Sequence, residues 1–321
     1  MRIGLVTPAA PRSRAGNRAT ATRWARLLRT AGHQVSVLEQ WRPGDTGFDV
    51  MLALHAWRSA PSITAFAEQY PERALMVVLT GTDIYQFQHS DPAVTVASLD
   101  RADGLIGLHD HVGRDIPARF HAILHTVHQS ATPLPTSDRG PVRRRFELCV
   151  VGHLRDEKDS LRAALAARSL PVGSRVHVLQ AGRAHTPDWA AAAEAEMAAN
   201  PRYTWYGEIG QGAIRRLYAR SRAMVMSSVM EGGANVVSEA CVAGLPILAS
   251  RIPGNTGLLG DHYPGLYPAR DTAALSQLMR RIEHEPDYLA MLAAHCRALA
   301  PRFTPEAERT ALLRAITSVT G

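Results

Sequence analysis

Short runs of apolar residues alternate with stretches of helical periodicity along most of the chain. A run that is apolar at every position predicts a strand buried on both faces, and apolar residues three and four apart predict an amphipathic helix. The predicted strands of the first half are Ile3–Val6, Val35–Leu38, Val50–Leu54, Leu75–Leu79, Leu105–Leu108 and Ile123–Val127. The predicted helices there are Ala19–Ala31, Ile63–Tyr70 and Ala93–Arg101.

The alternation stops at residues 130–141, which are rich in Pro, Ser and Thr, and then starts again. Such a composition is typical of a linker. The predicted strands of the second half are Phe146–Val151, Val176–Leu179, Met224–Met226 and Ile247–Ala249. The predicted helices are Ser160–Ser169, Asp188–Ala199, Ala213–Arg220, Asn235–Ala243, 272–284, 286–299 and Thr304–Val319, the last with Thr304 as its cap and Pro305 in its first turn.

Two parallel α/β domains of the doubly wound, Rossmann-like type, facing a central cleft, are therefore predicted. The expected organisation is an N-terminal domain at 1–132, a linker at 133–144, a second domain at 145–302 and a final helix at 303–321. A length of 321 residues agrees with two domains of roughly 100–200 residues each. Because ligands of this fold class bind at the carboxyl ends of the strands, the loops there are the places to look for chemistry.

Composition narrows the choice of ligand and location. Lysine and arginine (36) exceed aspartate and glutamate (29), which gives a net charge of +7 and favours an anionic partner. Nucleic acid is not expected, because aromatic residues make up only 6% and no basic run exceeds Arg143–Arg145. Three widely spaced cysteines favour a reducing compartment, and no apolar stretch approaches the roughly 20 residues of a membrane span, so a cytoplasmic protein is expected.

The chain has fourteen histidines, of which His121, His125 and His128 most suggest a metal site. On a strand, His121 and His125 would share one face while His128 points to the other, so the three would not converge and no metal is expected. His109 and His111 would also share a face near the cleft, where they could contact the substrate, and a surface pair with satisfied hydrogen bonds is the simpler interpretation.

The loop after the first strand is rich in arginine. Gly16 and Asn17 are predicted to precede a helix whose first N–H groups carry partial positive charge, and Arg12, Arg14 and Arg18 add full charges. A seat for a phosphate-like anion is one interpretation of this loop. A solvated basic loop with an ordinary asparagine cap is the other.

A second candidate loop follows the strand at Leu75–Leu79. Thr80, Gly81, Thr82 and Asp83 place two hydroxyl groups and a carboxylate where ligands bind in this fold class. The alternative is a turn in which Asp83 only caps the next segment.

The turn after the first strand of the second half carries two cations. Gly152 lets the chain turn close to a ligand, and Arg155 and Lys158 could neutralise a diphosphate. The segment is not a P-loop, and a basic turn is by itself weak evidence.

The most specific segment runs from Glu231 to Glu239, two carboxylates eight positions apart. Gly232–Asn235 are predicted to form a helix N-terminus with N–H groups available to phosphate. Glu239 would lie one turn inside that helix, among apolar residues, where a carboxylate needs a partner. Sugar hydroxyl groups could serve as that partner.

These segments together resemble the GT-B-type nucleotide-sugar glycosyltransferases, and the resemblance spans nearly the whole chain. It rests on the Glu-x7-Glu spacing, on the Gly-x-Leu-x-x-Glu-Lys string at 152–158 and on the glycine-containing loop after the first strand. The resemblance implies a GT-B architecture, glycosyl transfer, and a final helix that crosses back onto the first domain. It also implies that Lys158 binds the donor diphosphate, that Glu239 holds the ribose hydroxyls and that Glu231 lies beside the transferred sugar.

Two positions depart from the pattern of that family. His153 stands where an arginine is usual, so Arg155 or a protonated His153 is expected to complete the diphosphate clamp. Thr80 stands where many members have a histidine that contacts the donor sugar, which argues against a standard sugar acceptor.

Four strings are similar to the selenosugar synthases of selenoneine biosynthesis, namely Ser13–Arg18, Leu79–Tyr85, Gly152–Lys158 and Met230–Glu239. Those glycosyltransferase-like enzymes join selenophosphate to the sugar of a UDP-hexose, typically UDP-N-acetylglucosamine. The resemblance implies a UDP-hexose (UDP-N-acetylglucosamine or UDP-glucose) and selenophosphate as partners, a new C–Se bond, and no further cofactor. Alternatives are an ordinary glycosyltransferase with a hydroxyl acceptor and a nucleotide-sugar-binding protein without catalysis.

The residue roles on this interpretation fall into three groups. The expected catalytic residues are Glu231, Lys158 and Arg155. The expected donor-binding residues are His153, Arg155, Lys158, Glu231, Gly232, Gly233, Ala234, Asn235 and Glu239. The expected acceptor-binding residues are Arg14, Gly16, Asn17, Arg18, Thr80, Thr82 and Asp83.

Overall fold

A computed structural model of the chain describes residues 1–10, 16–134 and 144–321. Its strands are β1 (Arg2–Val6), β2 (Gln34–Leu38), β3 (Val50–Leu54), β4 (Ala74–Val78), β5 (Gly104–Gly107), β6 (Leu124–Thr126), β7 (Phe146–Val151), β8 (Val176–Ala181), β9 (Tyr203–Trp205), β10 (Ala223–Met226), β11 (Ile247–Ser250) and β12 (Leu266–Tyr267).

The α-helices of the described residues are α1 (Gly16–Thr30), α2 (Ala60–Gln69), α3 (Gln88–Ser90), α4 (Pro92–Asp100), α5 (Arg162–Arg168), α6 (Pro187–Ala199), α7 (Gln211–Arg220), α8 (Asn235–Val242), α9 (Pro253–Leu259), α10 (Thr272–His284), α11 (Pro286–Leu299) and α12 (Pro305–Thr320). A π-helical turn occupies Asp83–Phe87, and short 3-10 helices occupy Val112–Arg114, Ala118–Ile123, Asp156–Lys158 and Ala300–Phe303.

The chain forms two compact units. The first consists of Met1–Ser130, Glu231–Asn235 and Thr304–Gly321, and the second of Ala131–Met230 and Val236–Phe303. Within the described residues, the first unit holds a six-stranded parallel sheet in the order β2-β1-β3-β4-β5-β6. The strand order reverses between β1 and β3 while all strands stay parallel, which is the doubly wound arrangement.

Both faces of the first sheet are covered by apolar side chains. On one face, Trp24 of α1 and Ile316 of α12 pack against β1, β3 and β4, and on the other face Trp41 and Phe66 pack against the same strands. All five residues of β3 and of β4 are buried, which explains why these strands are apolar at every position.

The second unit repeats this plan. Its described strands form a six-stranded parallel sheet in the order β12-β11-β10-β7-β8-β9. The predicted pair of doubly wound parallel sheets is therefore confirmed. The two strands that the apolar pattern did not predict, β9 and β12, are the edge strands of this sheet and have only three and two residues. Runs of that length show no periodicity.

Several predicted boundaries need correction. The helix predicted at Ala19–Ala31 begins three residues earlier, at Gly16, and the helix predicted at Ser160–Ser169 is confined to Arg162–Arg168. Helix α9 was not predicted, because its seven residues include two glycines and an asparagine. The predicted cap of the last helix is confirmed, since the Thr304 hydroxyl accepts a hydrogen bond from the Ala307 N–H at 3.2 Å.

Helix α12 belongs to the first unit, where it packs against α1, β4 and β5. Most of the predicted linker at 133–144 lies outside the described residues, which resume at residue 144. None of the helices in the described ranges has the length and apolar character needed to span a bilayer.

Candidate functional site

The N-terminus of α1 carries the first group of candidate residues. Because α1 begins at Gly16, Gly16 and Asn17 lie in its first turn rather than before it, which corrects the prediction. Arg18 follows with a buried Nη1 that has no hydrogen-bond partner in the described ranges. Arg12 and Arg14 lie outside the described residues. The described part of this segment therefore retains a cation with unused hydrogen-bonding capacity.

The loop at Thr80–Asp83 is shaped by the Asp83 carboxylate, which has no exposed surface. Its oxygens accept hydrogen bonds from the backbone N–H groups of Thr80 (3.0 Å), Gly81 (2.7 Å), Ile84 (3.2 Å) and Ala56 (3.1 Å). A buried carboxylate engaged in this way has no surface left for a ligand. The expectation that Asp83 binds the acceptor is therefore corrected to a positioning role. Its carboxylate holds the turn together but does not cap the next segment, whose cap residue is Thr82 and has no side-chain cap hydrogen bond.

Glycine at positions 81 and 232 allows two backbone segments to touch. A Cβ added to Gly232 would lie 2.1 Å from the carbonyl carbon of Thr80, and one added to Gly81 would lie 2.7 Å from the Gly232 nitrogen. No side chain fits at either position without displacing a backbone. The first unit thus brings the Glu231–Asn235 segment directly against the Thr80–Asp83 loop, with the buried Glu231 beside this contact.

Helix α8 begins at Asn235, so Gly232, Gly233 and Ala234 precede the helix instead of forming its first turn. The free N–H groups of α8 therefore belong to Asn235 and the residues after it. Gly233 packs against Leu108, since an added Cβ would lie 2.4 Å from the Leu108 Cβ. The helix predicted at Asn235–Ala243 is therefore present with the predicted start, and Gly232–Ala234 form the segment that leads into it.

The Asn235 side chain is held by a network that sequence analysis did not find. Its Oδ1 accepts a hydrogen bond from Arg23 Nη1 at 3.0 Å, and Arg23 Nε donates to the Glu308 carboxylate at 2.8 Å. Glu308 is buried in α12 and also accepts from Trp24 Nε1 at 2.7 Å. Arg23 lies more than 200 positions from both Asn235 and Glu308 in the sequence, so no local pattern indicated these contacts.

The partners of His109, which follows β5, were also not visible in the sequence. His109 is fully buried, its Nδ1 accepts from the His111 N–H at 3.2 Å, and its Nε2 lies 3.0 Å from the Tyr85 hydroxyl. Burial lowers the pKa of His109 to about 4, and the neighbouring His111 acts in the same direction. The Tyr85 hydroxyl in turn donates to Asp115 at 3.1 Å. His109 is therefore a neutral buried group and not part of a surface pair.

In the second unit, the turn after β7 is built on another close glycine contact. A Cβ on Gly182 would lie 1.9 Å from the Gly152 carbonyl oxygen. A Cβ on Gly152 would meet Cδ and Cε of Lys158 at 3.9 Å, so the lysine stem lies along this turn. Ser227, which follows β10, donates to the carbonyl oxygen of Lys158 at 3.0 Å and fixes its backbone.

The same turn carries His153 and Arg155, two further candidates for the diphosphate site. His153 Nδ1 accepts a hydrogen bond from the Arg183 N–H at 3.1 Å. Burial lowers the pKa of His153, and the nearby His185 lowers it further. A protonated His153 in the expected diphosphate clamp is therefore not supported. Arg155 keeps a buried Nε with no hydrogen-bond partner among the residues described, 3.7 Å from the Glu157 carboxylate.

Glu239 has the partner that its apolar surroundings required. The Tyr218 hydroxyl of α7 donates a hydrogen bond to Glu239 Oε2 at 2.7 Å. Burial raises the pKa of Tyr218 well above its usual value, and the Glu239 charge adds to this effect. Tyr218 therefore stays protonated and holds one oxygen of the carboxylate in place.

Metal-binding side chains do not gather in the described part of the chain: it contains no group of three or more His, Cys, Asp or Glu arranged around a common point. His125 Nε2 pairs with the Ser318 hydroxyl at 3.0 Å, and His128 Nε2 pairs with Asp110 at 2.9 Å.

Comparison with solved structures shows that the chain has the GT-B fold. HepE of Anabaena, in complex with UDP and glucose, superposes with a TM-score of 0.78 over 99% of this chain and 100% of that one, at 15% identity. Sucrose-phosphate synthase of Thermosynechococcus elongatus gives a TM-score of 0.75 over 99% and 98% of the two chains, also at 15% identity. At such low identity the likeness shows the fold alone.

The sequence itself defines the family. The family model described as "Glycosyl transferases group 1" matches residues 138–298, half of the chain. The protein belongs to this family and is a glycosyltransferase. A sequence comparison with curated proteins returned no match.

Proposed function

We propose that this glycosyltransferase moves the hexose of a UDP-sugar onto selenophosphate, with formation of a C–Se bond and release of UDP. The observation that carries the acceptor assignment is the buried guanidinium Nη1 of Arg18 in the first turn of α1, which has no hydrogen-bond partner among the described residues. A buried donor of that kind calls for an anionic ligand. The similarity of four strings to the selenosugar synthases names the anion.

The donor assignment rests on the second unit and on the Glu231–Asn235 segment. Lys158, beside the Gly152 turn, and Arg155, whose Nε has no hydrogen-bond partner within the described part of the chain, are proposed to bind the diphosphate. Glu239, held by Tyr218, is proposed to bind the ribose hydroxyls. Structures of the similar HepE contain UDP and UDP-glucose, which supports a uridine nucleotide donor.

Transfer on this proposal needs no enzyme base in the Thr80–Asp83 loop. A selenium lone pair attacks the anomeric carbon while the bond from that carbon to the UDP oxygen breaks, and UDP leaves with the electron pair. The selenophosphate nucleophile carries no proton that must be removed first. The contacts of Asp83 support this proposal, because its buried carboxylate accepts hydrogen bonds from backbone N–H groups and offers no exposed oxygen to an alcohol.

Stabilisation of the departing UDP is proposed as the main catalytic contribution. Lys158 and Arg155 would neutralise charge as it develops on the diphosphate. Glu231 would fix a hydroxyl of the transferred sugar. No metal ion is required in this scheme, because two cationic side chains and helix N–H groups take its place.

The test incubates the purified protein with UDP-N-acetylglucosamine and selenophosphate and follows UDP release together with selenium-containing products by mass spectrometry. Parallel reactions replace selenophosphate with inorganic phosphate or with a panel of sugar acceptors, and UDP-glucose replaces the donor. The proposal expects a selenium-containing hexose only when selenophosphate is present.

A product formed only with a sugar or lipid acceptor would overturn the proposal in favour of ordinary glycosyl transfer to a hydroxyl group. UDP binding without turnover of any acceptor would instead indicate a nucleotide-sugar-binding protein.

A further inference from the structure

The carboxyl end of β3 carries a buried histidine in a strained backbone conformation. His55 follows Leu54 directly, has a φ of +76° and is 2% exposed. Positive φ is uncommon for a residue with a side chain and persists where the surrounding structure enforces it. Such strain is often found at functional sites, so the partners of His55 are informative.

Both ring nitrogens of His55 have defined partners. Nδ1 accepts a hydrogen bond from the Arg58 N–H at 3.2 Å, so this nitrogen carries no proton. Nε2 lies 2.9 Å from the Thr82 hydroxyl oxygen. Burial lowers the pKa of His55, and the nearby Asp83 opposes this only in part, so the ring is neutral. A neutral ring without a proton on Nδ1 carries it on Nε2.

The Thr82 hydroxyl is therefore an acceptor toward His55. A hydroxyl has one proton, and because the His55 N–H occupies a lone pair, that proton of Thr82 stays available for another partner. Thr82 is partly exposed, and the described residues offer its hydroxyl no other hydrogen bond. A chain of hydrogen bonds also polarises its last donor.

The Asp83 carboxylate, which shapes the Thr80–Asp83 loop, also fixes the backbone next to His55. Asp83 accepts from the N–H of Ala56, next to His55, and from those of Thr80 and Gly81. The strained turn after β3 and the loop after β4 are thus tied together. The arrangement holds His55 under Thr82 in one orientation.

We propose that His55 is a positioning residue that turns the Thr82 hydroxyl proton toward an oxyanion of the acceptor. The ligand class is a small phosphate-like anion, and this inference rests on the proposed function, which places such an acceptor at this loop. His55 itself does not touch the substrate, because its ring is buried and both nitrogens are engaged.

The experiment compares His55→Asn, His55→Gln, Thr82→Val and the double variant His55→Asn/Thr82→Val with the wild type. Asparagine tolerates positive φ, and its side-chain oxygen can keep the hydrogen bond from Arg58, but it is too short to reach Thr82. Glutamine is long enough to donate to Thr82. The measurements are KM for selenophosphate and KM for UDP-N-acetylglucosamine.

His55→Asn and Thr82→Val are each expected to raise KM for selenophosphate about tenfold, with the donor KM unchanged. His55→Gln should recover most of the loss. The double variant should be no worse than Thr82→Val, because His55 acts only through Thr82. Additive effects, or equal changes in both KM values, would overturn the inference.

Two measurements keep this test separate from the proposed function. Long-range proton–nitrogen NMR spectra of the wild type should show His55 as the neutral ring with its proton on Nε2, and the other tautomer would overturn the inference. If the wild type does not use selenophosphate at all, the proposed function fails, and inorganic phosphate becomes the probe. Phosphate binding by calorimetry should then still weaken in His55→Asn and Thr82→Val, and unchanged affinity would overturn the inference alone.

Discussion

At the residue scale, Lys158 is notable because it is the only lysine among the 36 lysine and arginine residues of the chain. An ammonium group is a compact charge with three rotatable donors, whereas a guanidinium is a planar fork. The Lys158 stem passes 3.9 Å from the position of an added Gly152 Cβ, an ordinary van der Waals distance, so its aliphatic part lies along the turn. On the proposed function, Lys158 is the one compact ammonium group that binds the diphosphate.

Replacing Lys158 with alanine should lower kcat/KM about 10- to 100-fold, because a hydrogen bond to a charged group contributes roughly 1.5–3 kcal/mol. An amine-selective reagent provides an independent measurement, since Lys158 is the single side-chain target in the chain. UDP should protect Lys158 from labelling in the wild type, as followed by peptide mass spectrometry. Full labelling in saturating UDP would remove Lys158 from the diphosphate site.

Tyr218 and Glu239 form the second residue-scale pair. Tyr218→Phe deletes only the hydroxyl that donates to Glu239 Oε2. UDP affinity should fall about 3- to 10-fold, because loss of this hydrogen bond leaves the carboxylate less well oriented. Calorimetry with UDP measures the effect, and Tyr206→Phe, at a 44% exposed site, is the matched control. A variant that is merely less stable but binds UDP as the wild type does would contradict the orienting role.

At the element scale, the contact between the Thr80–Asp83 loop and the Glu231–Asn235 segment depends on two glycines. Neither segment belongs to a regular strand at the contact, and each follows a buried strand. Their close approach places hydroxyl groups, a buried glutamate and the start of α8 in one part of the first unit. Loop geometry is therefore as important to the site as the side chains.

Gly232→Ala should separate these segments, because an added Cβ would lie 2.1 Å from the Thr80 carbonyl carbon. A displacement of about 1 Å can cost roughly 100-fold in rate, so kcat/KM for transfer should fall by about that factor. Gly173→Ala is the matched control, since its added Cβ would meet nothing within 4 Å. Wild-type kinetics in a folded Gly232→Ala protein would show that the contact has no part in transfer.

The first turn of α1 is the second element with a testable role. Arg18→Ala, alone and with Arg14→Ala, should raise KM for selenophosphate more than KM for the UDP-sugar, because an anionic acceptor loses its cationic partners. Arg26→Ala tests an exposed arginine on the same helix and should leave both constants near the wild-type values. An effect restricted to the donor KM would place the acceptor elsewhere.

At the scale of the whole molecule, buried neutral histidines make stability depend on pH. The pKa of His109 falls from 6.5 to about 4 on burial. The unfolded chain therefore binds more protons than the folded chain between these values, and stability is lost as the pH falls from about 6.5 to about 4. The loss attributable to this one group is about 3 kcal/mol, at about 1.36 kcal/mol per pKa unit.

His109→Gln should flatten the dependence of the unfolding free energy on pH over this range, as measured by denaturant titrations at several pH values. Glutamine can keep a hydrogen bond to Tyr85 but does not titrate. His89→Gln, at an exposed position, serves as the control and should leave the slope unchanged. An undiminished slope in His109→Gln would assign the acid sensitivity to other groups.

The sequence predicts those features of the fold and the candidate site that depend on residues close together in the chain. Wholly apolar runs such as Val50–Leu54 predicted the parallel sheets, because burial on both faces leaves a direct trace in composition. The need of Glu239 for a partner was also predictable from its neighbours. The identity of that partner was not, since Tyr218 is 21 residues away on another helix.

The features of the candidate site that the sequence did not predict are contacts between residues far apart in the chain. Asp83 was expected to bind a ligand because its position in the loop is all that sequence shows, whereas its bond to the Ala56 N–H is visible only in the fold. His55 follows a fully apolar strand as a lone polar residue, a local signal that was available but weak. The Gly81–Gly232 contact joins segments too distant for any pattern to link.

The most direct test of the account is NMR of the product formed from isotope-labelled selenophosphate and a UDP-hexose labelled at its anomeric carbon. A one-bond coupling between the anomeric carbon and selenium is predicted, because selenium is the attacking atom. A labelled sugar that is linked through oxygen, or transferred to a hydroxyl acceptor while selenophosphate stays unreacted, would contradict it.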